Sequence, residues 1–164
     1  MTSFVAIDFE TANRAKESAC AVGLVRVENL QIVQKAYYLI CPPQPHFEFT
    51  HIHGIRWTDV AAQPTFGDLW SELHPLIAGT DFIAAHNAGF DRSVLHACCN
   101  SYGIPRPAQN FICTVQLARR TWSLYPTKLP DVCRFLGLEL DHHHALSDAE
   151  ACAQIVIAAT QPLV

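Results

Sequence analysis

The chain has 164 residues, half of them apolar and 16% charged, a balance that excludes disorder as its main state. Lys and Arg number 11 against 15 Asp and Glu. The net charge of −4 argues against holding long duplex nucleic acid by charge alone, but leaves room for a small nucleic-acid site with its own cations.

The length fits one domain, 1–164. A chain of this size can bury about 69% of its extended surface, enough for a core without metal or disulfide staples. Seven Cys, an odd number with no C-x-x-C, argue against a disulfide framework or a zinc ribbon and point to core thiols in a reducing compartment. The first ten residues hold Asp8 and Glu10 and no positive run, which argues against a signal peptide. The uncharged tail 151–164 is too short and too polar to span a bilayer. The expectation is a cytoplasmic protein without a membrane partner.

Residues 3–8, 19–27 and 31–40 read as strands, the last two joined by a turn at Glu28, Asn29 and Leu30 too short for anything but an antiparallel hairpin. Pro42 and Pro43 end the third strand. Phe66, Leu69, Trp70, Leu73 and Ile77 recur at helical spacing with Gly79 as a stop, although Pro75 should kink or shorten that helix. A short buried strand at 81–85 is followed by a helix over 89–102 with Gly103 after it, then a strand at 111–113 and a helix over 114–122. Pro130 opens the next helix and Gly137 closes it; 148–160 is the last. The order predicts an α/β fold with a mixed sheet of about five strands, three antiparallel and then parallel, flanked by helices.

Acidic residues collect where these elements end. Asp8 and Glu10 lie two apart at the end of the first strand, so they share a face and repel unless a cation lies between them. A solvated strand-end turn is the weaker alternative for that pair. HNAGFD (86–91) follows the fourth strand; Asn87 is placed to cap the helix, with Asp91 in its first turn, as a helix dipole alone would favour. In HHHALSDAE (142–150), Ser147 and Glu150 read as a capping box with Asp148 at the first helical position. Together the four carboxylates sum to −4, matched by two divalent cations. All-oxygen donors suit Mg²⁺ or Mn²⁺, and such a pair is the clamp for in-line attack at phosphorus, with a neutral His as base.

FVAIDFETA (4–12), HNAGFD (86–91) and HHALSDAEA (143–151) resemble the three motifs of the DEDDh family, the DnaQ-like 3′–5′ exonucleases. FTHIHGI (49–55) and ICTVQLARR (112–120) resemble further family segments. The resemblance implies an RNase H-like fold. It implies Asp8, Glu10, Asp91 and Asp148 as metal ligands and His143, five residues before Asp148, as general base. It also implies release of nucleoside 5′-monophosphates from the 3′ ends of single-stranded DNA or RNA, or from frayed ends, and allows a homodimer. Phe9, Phe90 and His53 are candidates for lining the nucleotide pocket. Thr11, Ala12 and Asn87 complete the expected substrate contacts, Ala12 through its backbone N–H, since it stands where the family often has Thr. Arg119 and Arg120 fit a solvated helix face better than a phosphate contact. Two alternatives are a catalytically silent binding module of the same fold, and a zinc hydrolase built on His51, His53 and the 142–144 triplet.

Overall fold

A computed structural model of the chain describes residues 2–161, so the last residues of the uncharged tail, 162–164, lie outside the described part. Strand alternation decides where the remaining elements sit. In β1 (Ser3–Thr11), Val5, Ile7 and Phe9 pack on one side of the sheet, and Phe4 and Ala6 on the other. β2 (Ala19–Glu28) follows the same alternation, with Val22 and Leu24 on the first side and Val25 and Val27 on the second. β1 pairs antiparallel with β2, and β2 with β3 (Gln31–Leu39). The β2–β3 turn is Asn29–Leu30, both at positive φ (52° and 63°), the backbone of a tight hairpin whose twist matches its strands. β4 (Phe82–Ala85) adds parallel to β1, and β5 (Asn110–Cys113) parallel to β4, giving the order β3-β2-β1-β4-β5. The expected mixed five-stranded sheet is present.

The helices form two layers. α3 (Phe66–Ile77) and α4 (Ala88–Ser101) cover the Val5–Ile7–Phe9 side through Leu69, Leu73, Leu76, Val94, Leu95 and Cys98. α7 (Ala145–Thr160) covers the other side through Ala149, Cys152, Ala153 and Val156. α5 (Thr114–Trp122) and α6 (Leu129–Leu136) pack outside α7, against Ala151 and Ile155. α7 is therefore apolar on two sides, which explains why its sequence shows no clean amphipathic stripe. Gly137, at φ 69°, stops α6 as expected. Five of the seven thiols are buried and all are free.

Three expectations need correction. α3 is not shortened by Pro75 but runs on to Ile77, and Arg26 Nη1 donates to the carbonyls of Pro75, Leu76 and Ala78 (3.2, 3.0 and 2.9 Å), satisfying acceptors of its last turn. α7 starts at Ala145, three residues before the expected start. Its apparent capping box is spent on tertiary partners: Ser147 Oγ accepts from the Asp141 N–H (2.8 Å), and Glu150 pairs with Lys35. Two four-residue helices, α1 (Thr50–His53) and α2 (Trp57–Val60), were not anticipated, being too short to carry a period. Among the described residues, no helix is long and apolar enough to cross a membrane.

Candidate active site

The parity that sends Phe4 and Ala6 toward α7 sends Asp8 and Glu10 the same way at the end of β1. Asp8 is paired with Gly23 of β2, and that glycine admits α7. A Cβ at Gly23 would lie 2.3 Å from the Ala145 carbonyl oxygen and 2.6 Å from the Leu146 nitrogen, so only a bare backbone lets the start of α7 lie on the sheet. That contact brings Asp148 over the strand end. Ligand oxygens of Asp8, Glu10 and Asp148 all lie within 4.8 Å of one another. Asp91 arrives from the first turn of α4 and is fully buried; its Oδ1 accepts the Phe9 N–H (2.9 Å), fixing α4 to β1.

These acids are held against their nature. Burial pushes the Asp8 carboxyl well up, with repulsion from Asp91, Asp148 and Glu10 adding to it. Burial, then Asp148 and Asp91, push Glu10 up to about 8. Burial takes Asp91 to about 8, against the opposing Phe9 N–H. Asp148 is raised chiefly by burial, and the His142 side chain and the His143 N–H pull it back. Asp8 Oδ2 alone among the buried side-chain oxygens and nitrogens of the described residues has no hydrogen-bond partner. Hard oxygen donors, mutual repulsion and an unpartnered buried oxygen fit a divalent cation.

The 142–144 triplet divides its tasks. The His142 ring reaches Asp148, Nδ1 lying 3.2 Å from Oδ2. His143, at φ 68°, donates its backbone N–H to the same oxygen (3.1 Å) and stacks its ring on His142 with centroids 3.8 Å apart. Burial, then the neighbouring His142, hold the His143 imidazole below its ordinary pKa. His144 stacks on Tyr37 (centroids 4.7 Å apart). Ligand groups of His142, His143 and Asp148 form the second cluster of the described residues; His51 and His53 belong to neither.

Beside Glu10 opens a cleft of about 200 Å³, lined by Phe9, Thr11, Phe49, Ile52, His53 and Phe90. Phe9, Thr11, His53 and Phe90 were expected there; Phe49 and Ile52 were not singled out, although both stand in the FTHIHGI segment. His53 is also a strut: Nδ1 accepts the Ile55 N–H (3.0 Å), which leaves Nε2–H to donate to the Thr11 carbonyl (2.9 Å). The Lys16 ammonium sits 4.8 Å from the centre of the Phe90 ring. Two expectations are corrected. Ala12 is fully buried and its N–H is taken by the Ser18 carbonyl (2.8 Å), so it has no donor to offer. The other correction concerns capping: Asn87 stands at the N-cap position of α4, but in a left-handed conformation (φ 66°) with no side-chain cap bond, and its side chain is exposed. His86 went unread: Nε2–H donates to the Thr127 carbonyl (2.9 Å) and Nδ1 faces Thr114 Oγ1 (2.8 Å), bracing the β4 end against the α5–α6 loop.

Comparison with known proteins agrees with this geometry. The model of the RNase_T family, described as Exonuclease, matches residues 5–156. The chain is 32% identical over 160 residues to exodeoxyribonuclease 10 of Escherichia coli (strain K12), covering 92% of this chain and 66% of that protein. It is 28% identical over 163 residues to the PolC-type DNA polymerase III of Halalkalibacterium halodurans, covering 94% of this chain but only 11% of the polymerase. Among solved structures, exonuclease X in complex with 5′ overhanging duplex DNA superposes with a TM-score of 0.77 at 27% identity, covering 97% of this chain and 90% of that one. With the family model spanning nearly the whole chain, acids of the first and third motifs clustered at the end of β1 and Asp91 of the second bonded to that strand, this chain belongs to the exonuclease family, in its DnaQ-like branch.

Proposed function

We propose that the chain is a metal-dependent 3′–5′ exonuclease that hydrolyses terminal phosphodiester bonds of single-stranded or frayed nucleic acid to nucleoside 5′-monophosphates. The observation that carries the reading is the convergence of Asp8, Glu10 and Asp148 around the unpartnered Asp8 oxygen, at the mouth of an aromatic cleft. Asp8, Glu10, Asp91 and Asp148 would hold two Mg²⁺ or Mn²⁺. When bound, these ions neutralise the phosphate and stabilise charge on the attacking and leaving oxygens. Asp91 keeps β1 and α4 in register through the Phe9 N–H. His143, with its pKa held down, is neutral at pH 7 and takes the proton of the attacking water. The water oxygen bonds to phosphorus, the P–O3′ bond breaks, and the departing 3′ oxygen takes a proton from solvent, so the upstream strand leaves with a 3′-hydroxyl.

Phe9, Thr11, His53 and Phe90 receive the terminal nucleoside. A cleft of about 200 Å³ suits one nucleoside rather than a base pair, which favours single-stranded or frayed ends. The names of the relative exodeoxyribonuclease 10 and of the exonuclease X–DNA complex favour DNA over RNA. Free thiols throughout support a cytoplasmic setting. One observation favours a second assignment of the base: the His142 ring, not that of His143, touches Asp148.

The test is an assay on 5′-labelled single-stranded DNA, duplex DNA and single-stranded RNA. Activity should vanish in excess chelator and return with Mg²⁺ or Mn²⁺, with products shortening from the 3′ end. Full activity in chelator would overturn the two-metal reading, and internal cuts would overturn the exonuclease reading.

A further inference from the structure

A second, larger concavity of about 480 Å³ begins where the first ends. Asp8 and Asp148 stand at its inner edge, and it runs past Asn87 to Arg119, Tyr125 and Lys128 on α5 and the α5–α6 loop. The acids thus lie at the junction of two clefts: Glu10 lines the aromatic one, and Asp8 and Asp148 line this one. If the terminal nucleoside fills the first and its phosphate lies at the acids, the remaining strand needs a second path away from them. Only cations can offset a polyanion in a chain of net charge −4.

The larger cleft supplies them. Neither Arg119 nor Lys128 pairs with an acid among the described residues. By contrast, Arg14 beside the aromatic cleft is paired with Glu48. Tyr125 is 80% exposed, so its ring serves no core. Yet the ring has a fixed neighbour, the Arg119 guanidinium 5.6 Å from its centre, and Arg119 Nε donates to the buried Thr127 hydroxyl (2.8 Å). An open aromatic face flanked by cations along a groove is the arrangement that holds single strands by stacking and charge.

We propose that this cleft seats the nucleotides immediately upstream of the scissile bond, Tyr125 stacking a base while Arg119 and Lys128 contact its phosphates. The proposal rests on the exonuclease reading and adds a length requirement to it. Oligonucleotides should engage the cleft, and a substrate with nothing upstream should not. Thymidine 5′-(p-nitrophenyl phosphate) serves as that substrate, since it offers a phosphodiester and one nucleoside, with a nitrophenyl leaving group but no upstream nucleotide or phosphate. The experiment compares it with a 5′-labelled oligothymidylate octamer, for wild type, Tyr125→Ala, Tyr125→Phe and Lys128→Ala, with octamer binding also measured by anisotropy in Ca²⁺.

Tyr125→Ala should raise KM for the octamer by about tenfold, the scale of one lost base stack, and leave kcat in place. Tyr125→Phe should retain wild-type KM. Lys128→Ala should weaken octamer binding and lower the slope of log Kd against log salt by about 0.7, one phosphate contact fewer. All variants should cleave the nitrophenyl ester at the wild-type rate. Octamer KM unchanged in Tyr125→Ala and Lys128→Ala while the ester is still cleaved would overturn the proposal and leave the exonuclease intact. Equal losses on ester and octamer would also overturn it, by making the role structural. Failure of wild type on both substrates would remove the exonuclease reading itself.

Discussion

Two adjacent imidazoles compete for one role. His142 touches Asp148 with its ring, whereas His143 reaches the same carboxylate with its backbone and stacks on His142. A base must be neutral to accept a proton and free enough to face the water. His143 meets both conditions, being exposed and held below the ordinary imidazole pKa by burial and by His142. At saturating metal, His143→Ala should lower kcat by ~10²–10⁴-fold, the usual share of general-base catalysis, and flatten an acid limb lying below pH ~6.5. His142→Ala should stay within about tenfold of wild type. The opposite ranking of the two variants in a pH–rate comparison would move the base to His142. Asp8, Glu10 and Asp91 were legible as positions at a strand end and in the first turn after a post-strand loop, whereas Asp148 was read at a helix start that lies three residues earlier. The loss of the Ala12 donor was not legible, because it depends on Ser18 folding back across the β1–β2 connection.

At the scale of elements, the site depends on how closely α7 approaches β2. The backbone atoms around a Cβ at Gly23 have no rotamer to change, so the start of α7 would have to move, and Asp148 with it. Gly23→Ala should therefore destabilise the fold by about 1–3 kcal/mol, the range for overpacking, and lower activity disproportionately. Gly89, inside α4, is the control: nothing lies within 4 Å of its Cβ position, so Gly89→Ala should stabilise by roughly 0.5–1 kcal/mol. Urea unfolding of both variants beside an activity assay checks the pair; wild-type activity in Gly23→Ala would contradict the role given to that contact. Elements punctuated by their own residues were readable in advance, such as α6 between Pro130 and Gly137. The start of α7 was not, because Ser147 and Glu150 imitate a capping box while bonding to Asp141 and Lys35 from other parts of the chain. The lining of the aromatic cleft was half legible for the same reason: Phe9 and Phe90 flank the motif acids, while Phe49 and Ile52 come from a segment with no periodicity of its own.

Across the whole molecule, the site sets how stability responds to pH. Without cations, Glu10 and Asp91 keep their protons up to about 8 in the folded chain, against 4.5 and 3.8 for their ordinary values, and Asp8 and Asp148 shift the same way. The folded state therefore binds more protons than the unfolded chain, and stability falls as pH rises from about 4 to about 8. The histidines act in the opposite sense. His53, His86, His96 and His143 are all held below 6.5, so the unfolded chain binds the extra proton, and stability rises as pH climbs to that value. Above about 7 these imidazoles are largely neutral in both states, and the shifted thiols do not titrate until the unfolded value of 9.0 is approached. From about 7 to about 8 the carboxylates therefore outweigh them. One proton retained across that window is worth up to about 1.4 kcal/mol, or about 3–6 °C in a chain of this size. In chelator, the Tm should fall over that window. Mg²⁺ or Mn²⁺ added at pH 8 should restore it by replacing protons with cations on the same oxygens. Asp8→Asn, which removes one charge from the cluster, should raise the metal-free Tm at pH 8, flatten the slope and weaken the response to metal. A scanning-calorimetry series with a flat or rising Tm between pH ~7 and ~8 in chelator would mean that these acids do not share their charge as the geometry requires.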